Sequence, residues 1–381
     1  MLFKPFFRYK TVRVKMKKII YSLFLLFIFC ADSSGAEEVS YFNPYTKTYE
    51  NIQLNSILVT QKIRCDADNQ NEKNITIELA TELIQKIESE FIPKFEFLFT
   101  TDTDQKLPLW PLQIIFTERL TPSKKMEFKY QAYYTPLYRT QLGHEVLWVS
   151  LDKLSKDELY FYIAHELFHL YYRLRWNDAP KWIEEGLAHL FGYLFTGFFP
   201  QYQITKYFES PQISLEDFPV DSPKYYGHAF LFFYYLYMHH LTYKDLKPLV
   251  QSEHPKTVLE SKGLSFQEIF THFSIAKLFN TIYVHPNQAY SLKPTYGRIE
   301  FKNLQDLSAW NPKPWSSFYV KIDQREALQE MWGAWNSGQK NEQPGKLIFV
   351  QIPQYGFPKV LPEQNTQNAT HILLLTFASS Q

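Results

Sequence analysis

Cysteine is nearly missing from this 381-residue chain: Cys30 and Cys65 are the only two. A disulfide framework is therefore excluded as the source of stability. An excess of one charge is missing too. The 40 basic and 39 acidic side chains leave a formal charge of +1, so there is no electrostatic case for a nucleic-acid partner. No internal repeat or long low-complexity segment occurs. The apolar run Ile19–Ala31, IIYSLFLLFIFCA, stops at 13 residues, short of the roughly 20 that a bilayer-spanning helix needs.

That run still carries information. The basic stretch RYKTVRVKMKK precedes it and the small residues Ser34-Gly35-Ala36 follow, which is the layout of a secretory signal. Cleavage is expected after Ala36, leaving Cys65 as the sole thiol and no stable membrane span. The basic region is long for a signal, and Met16-Lys17-Lys18 makes a more typical start than Met1. An uncleaved anchor is the alternative. Lipid attachment at Cys30 is disfavoured by Phe29, which stands where a small residue is wanted. A signal without disulfides suits an exported protein, periplasmic or secreted, of a bacterial envelope.

What the chain has is apolar and aromatic bulk. Hydrophobic residues make up 45%, with 33 Phe and 27 Tyr, enough for a sizeable core, and the length suggests two domains or three. Residues 37–73 carry no clear pattern. From Asn74 the spacing turns helical, with Ile77, Ala80, Ile84, Ile87 and Phe91 on one face and Pro93 marking an end or a kink. Leu112–Thr117 and Glu145–Leu151 read as strands, the second alternating Val146, Trp148 and Ser150 with Leu147, Val149 and Leu151. A capping box, Ser155 to Glu158, opens a helix to about Trp176. Pro180 opens another to about Phe195. Further helices are expected from Ser222-Pro223 and from Ser265, where Glu268 completes a second capping box. Beyond Tyr283 the character changes: residues 285–381 hold eight of the 22 prolines and three strand-like runs, Ser317–Ile322, Leu347–Ile352 and His371–Phe377. The expected class is α+β: a signal over 1–36, an unassigned segment over 37–73, a mainly helical domain with a small sheet over 74–284, and a smaller β-rich domain over 285–381.

Within the capped helix lies His165-Glu166-Leu167-Phe168-His169, an H-E-x-x-H pattern. Residues i and i+4 share a helix face, so the two imidazoles can ligate one metal, and zinc accepts imidazole nitrogen readily. Glu166 lies about 100° round the helix from His165 and about 60° from His169. Its carboxylate can reach a water on the metal without being a ligand. With 11 histidines present, chance produces the pattern in roughly 2% of such chains, so its surroundings must decide. A catalytic zinc needs a third protein ligand and an open position. A histidine six residues after His169, with glycine midway, is one route; Arg175 and Tyr172 stand there and close it. A carboxylate on the next helix is the other, and KWIEEGLA offers Glu184 and Glu185.

HELFH followed by WIEEGLA resembles the gluzincin zinc metallopeptidases of the peptidase MA-like group, which pair H-E-x-x-H with W-x-x-E-G-x-A. The resemblance covers roughly residues 74–280 and implies a zincin-like fold. It also implies a Zn2+ ion on His165, His169 and Glu185, with Glu166 as general base and a protein or peptide as substrate. In such enzymes a later helix often supplies a Tyr or His to the oxyanion; the match points to Tyr226, with Tyr225 and His228 as alternatives. Glu184 is then a solvated or supporting carboxylate, and His189 a ligand's partner or a core histidine. Two other readings stay open: a catalytically inactive zincin-fold scaffold of the cell envelope, and a zinc hydrolase of a non-peptide amide.

Overall fold

A computed structural model describes residues 37–43, 48–68, 75–100, 108, 110–117, 131–150, 154–176, 178–219, 222–252, 254–278, 313–321, 345–351, 359–361 and 371–376. The expected signal over 1–36 lies outside them, as does most of 279–381.

The architecture is mixed α/β. Its main sheet has six strands: β1 (Glu37–Asn43), β2 (Thr48–Val59), β3 (Ile63–Asp68), β4 (Leu112–Phe116), β5 (Ala132–Tyr134) and β6 (Val146–Val149). Their order is β1-β2-β3-β4-β6-β5. The three central strands β3, β4 and β6 run parallel; β1, β2 and β5 are antiparallel to their neighbours. Residues 37–68, which the sequence left unassigned, thus supply half of the strands. On β6 the expected alternation holds: Leu147 and Val149 face one core, Val146 and Trp148 the other. The smaller core is closed by α3 (Leu137–Leu142), whose Tyr138 packs on Trp148.

The larger core lies between the sheet and the helices. The chain enters it through α1 (Ile77–Lys86), a π turn over Ile87–Phe91, and α2 (Ile92–Phe99). Pro93 sits in the first turn of α2. The π turn widens the helix just ahead of it, where the missing N–H and the pyrrolidine ring disturb the ladder.

The centre of the fold is α4 (Lys156–Arg173). Its capping box is complete: Ser155 Oγ accepts from the Glu158 backbone N–H, and the Glu158 carboxylate accepts from the Ser155 N–H at 2.9 Å. From Leu159 to Tyr172 the helix is buried on nearly every side, as a helix apolar all round must be. It packs on α2, on β5 and above all on α5 (Lys181–Thr196). Aromatic stacking fixes that contact: Phe168 lies on Phe191 at 5.3 Å and 14°, and Phe95 of α2 on Tyr171 at 5.5 Å and 23°. Such pairs contribute about 0.5–1.5 kcal/mol each beyond the area they bury.

Helix α7 (Pro223–His239) packs on α5, and α6 (Gln201–Phe208) packs on α7. Smaller helices follow, α8 (Tyr243–Val250), α9 (Pro255–Ser261) and α10 (Phe266–Leu278). Two glycines permit close packing of α7. Gly186 of α5 faces Phe233, and Gly227 lies against the Gln203 backbone of α6. Among the described residues, no helix is long and apolar enough to cross a membrane.

A second, four-stranded antiparallel sheet follows. It comprises β7 (Ser317–Lys321), β8 (Gly345–Gln351), β9 (Lys359–Leu361) and β10 (His371–Thr376), in the order β7-β10-β8-β9. The residues leading into β7 dock on the helices: Trp315 packs edge-on to Phe266 at 4.7 Å and its carbonyl accepts from the Leu215 N–H at 3.0 Å.

Candidate metal centre

Two adjacent antiparallel helices build the site. From α4, His165 and His169 project one turn apart on one face. From α5, Glu185 points back at them. The three donors form a nearly equilateral triangle: Nε2 to Nε2 is 3.0 Å, and Glu185 Oε2 lies 3.3 Å from each nitrogen. A tetrahedral metal with bonds of 2.0–2.1 Å requires ligand-to-ligand edges of about 3.3–3.4 Å. All three residues are buried and could hold a metal ion together. Among the described residues Glu185 Oε2 has no hydrogen-bond donor beyond the two rings it faces, a state that burial makes costly without a cation. Two imidazole nitrogens and one carboxylate suit a transition-series ion such as zinc or iron(II) and do not suit the all-oxygen preference of calcium or magnesium.

The electrostatics agree with a site built for positive charge. Burial by itself would raise the Glu185 carboxyl, but His169 and His165 hold it well below the usual range. Burial opposes charge on His169, yet Glu185 and Glu184 push its pKa up to about 10. A proton there occupies the place a metal would take, so loading releases it.

Glu166 stands beside the triangle. One of its oxygens is 3.9 Å from His165 Nε2, too far to be a fourth edge and close enough to share a small ligand. Burial raises its pKa, against the pull of His165 and His169. Like the three residues of the triangle, it is buried.

The two glutamates that the sequence could not separate by spacing alone differ sharply here. Glu184 is not solvated: it is 3% exposed. Its Oε1 accepts from His169 Nδ1 at 2.8 Å and from Arg173 Nε at 2.6 Å, and its Oε2 from Lys181 Nζ at 2.7 Å. Both oxygens are committed, and the carboxyl is held well below its ordinary range by His169 and Arg173 despite burial. Glu185 alone of the pair enters the triangle. His189 also stays out of it. Its Nδ1 donates to the Glu185 carbonyl at 3.1 Å, and its ring packs edge-on to His165 at 4.5 Å.

Helical rotation separates the three oxyanion candidates. Residues 225, 226 and 228 point about 100° and 200° apart. Tyr226 packs on Phe218 at 5.1 Å and on His189 at 5.4 Å, and His189 in turn packs on His165. Tyr225 packs on Phe218 and is half-buried. His228 points away, fully buried and stacked on Tyr207 at 4.4 Å. Tyr133 on β5 was not singled out in the sequence. Its phenol is half-buried and pushed up in pKa by burial, while Arg173 and Glu166 are close enough to act on it. Nothing local marks it; only pairing of β5 with β6, beside α4, brings it there. Arg173 was legible in principle, since it follows His169 at i+4.

Compared with known proteins, the chain matches no family model and no curated sequence.

Proposed function

We propose that this protein is an exported zinc metallopeptidase of the gluzincin type, with a zincin-like fold around α4 and α5. His165, His169 and Glu185 hold the metal and Glu166 is the general base. The observation that carries the reading is the triangle of donors with a buried carboxylate beside it. A bound zinc ion would acidify water and polarise a carbonyl oxygen. The chain's own residues supply the rest. Glu166 takes the proton of the attacking water at its carboxylate, then returns it to the leaving amine; a raised pKa suits a group that must both accept and donate. Tyr226, whose ring packs on His189, is the phenol we assign to donate to an oxyanion. Export rests on the segment before Ala36.

The test is cleavage of a broad peptide library by zinc-loaded wild type and by Glu166→Gln. Wild type is expected to cleave, and the variant to lose at least about 100-fold in rate, as removal of a general base does, while keeping its zinc. No cleavage by either, with zinc bound to both, contradicts the peptidase reading.

A further inference from the structure

We infer that Glu184, clamped by Arg173 and Lys181, is a positioning residue for the metal centre: it fixes the tautomer and the ring of His169 so that the Nε2 lone pair is presented to the metal. The inference rests on reading the triangle as a metal centre and goes beyond it.

Four observations carry it. First, a histidine can ligate through Nε2 only if its proton is on Nδ1, and that proton needs an acceptor when buried. Glu184 Oε1 is that acceptor, at 2.8 Å. Second, the acceptor is itself immobilised. Arg173 Nε donates to the same oxygen at 2.6 Å and Lys181 Nζ to the other at 2.7 Å. Arg173 is the last residue of α4 and Lys181 the first of α5, so the carboxylate ties the two helices at their junction. Third, the two cations and His169 occupy both carboxylate oxygens and leave none free for the metal. That separates its task from that of Glu185, the very next residue. Fourth, the other histidine lacks such support. His165 Nδ1 is buried without a hydrogen-bond partner among the described residues, so the clamp acts on one ligand and the other is an internal contrast.

The arrangement is asymmetric in a testable way. Outer partners of metal-bound histidines typically govern 10–100-fold in metal affinity. Zinc affinity of the signal-free chain is measured by competition with a chromophoric chelator for wild type, Glu184→Gln, Glu184→Ala and Arg173→Met. Glu184→Ala is expected to bind zinc about 10–100-fold more weakly. Glu184→Gln, which keeps an acceptor oxygen but not its charge, falls between. Arg173→Met, which leaves the His169 to Glu184 bond in place, loses less than Glu184→Ala. A role confined to holding the helices together predicts instead equal losses in Glu184→Ala and Arg173→Met, and that result overturns the inference. So does zinc affinity within twofold of wild type in Glu184→Ala. Should that variant not fold, nitrogen-15 NMR of the zinc-loaded wild type decides. His169 is expected to carry its proton on Nδ1, in a downfield and slowly exchanging signal; a proton on Nε2 overturns the proposal. Zinc bound by wild type, lost in His165→Ala and unchanged in Glu184→Ala, would leave the metal centre standing and remove only the clamp. No zinc on the wild type removes both.

Discussion

Replacing Gly227 by alanine tests the packing that sets α7, and with it Tyr226, against the metal centre. A Cβ built on Gly227 would lie 2.1 Å from the Gln203 carbonyl oxygen, 2.5 Å from its carbon and 2.9 Å from Ile204 N. All three are backbone atoms of α6, so no rotamer change relieves the overlap. The two helices must part by about 1 Å or more, since packed carbons sit at about 3.5–4.0 Å. That separation loosens the Tyr207 to His228 stack at 4.4 Å. Overpacking of this kind costs about 1–3 kcal/mol and occasionally more. Alanine returns about 1 kcal/mol through its higher helix propensity. With backbone on both sides the clash belongs at the upper end, giving a net loss of about 2 kcal/mol. In a chain of this size that lowers the melting temperature by roughly 2–3 °C. Thermal unfolding of the metal-free protein followed by circular dichroism reads it. Gly186→Ala is the control: its Cβ would meet the Phe233 ring at 2.5 Å, which can turn aside, so a smaller loss is expected. If Gly227→Ala proves as stable as wild type or more so, helix propensity outweighs the clash and the close approach of α6 to α7 is wrong.

Other consequences follow from the same packing and charges. Lys277 is fully buried, and it donates to Tyr207 Oη at 2.6 Å and Ser317 Oγ at 3.2 Å. Burial holds its pKa well below the ordinary value, so the unfolded chain binds this proton in a window where the folded chain does not. Stability therefore rises with pH from the depressed folded value up to about 10.5, at up to about 1.4 kcal/mol per unit. Lys277→Met is expected to be more stable than wild type at pH 7 and to flatten denaturant midpoints between pH 7 and 10; an unchanged slope would rule Lys277 out as its source. Chelation should lower the melting temperature of the loaded protein, because a ligand bound only by the folded state stabilises it by about 2.7 kcal/mol at 100 times its dissociation constant. An identical melting curve with and without chelator, for protein shown to carry zinc, would mean that the metal sits outside the folded core.

Much of this could be read before any coordinates. The Ser155 box starts α4 where expected, and the i, i+4 spacing puts His165 and His169 on one face. The ligand pairing was visible as two glutamates on the next helix. Which of them enters the triangle was fixed by the resemblance, and structurally by the 100° of helix rotation between Glu184 and Glu185 together with the cations that claim the first. The three strands of 37–68 were not legible. In TYENIQLNSILV only Ile52 and Leu54 are buried, so the apolar alternation is too short to stand out from a polar segment. Pro93 read equally as an end or a kink. Continuation through a π turn depends on Ile87, Phe91, Ile92 and Phe95 all finding places in one core. Where Tyr225, Tyr226 and His228 pack depends on the orientation of α7, which tertiary packing sets. Tyr133 comes near enough to feel Arg173 and Glu166 only through a strand pairing that leaves no local trace.

The most direct test of the metal centre is the zinc content of the purified chain together with X-ray absorption at the zinc edge. Wild type is expected to carry about one zinc, with two imidazole nitrogens and carboxylate oxygen at about 2.0–2.1 Å, and His165→Ala to lose it while remaining folded. A folded wild type that binds no zinc when offered it, or a His165→Ala variant that holds zinc as tightly, would contradict the account.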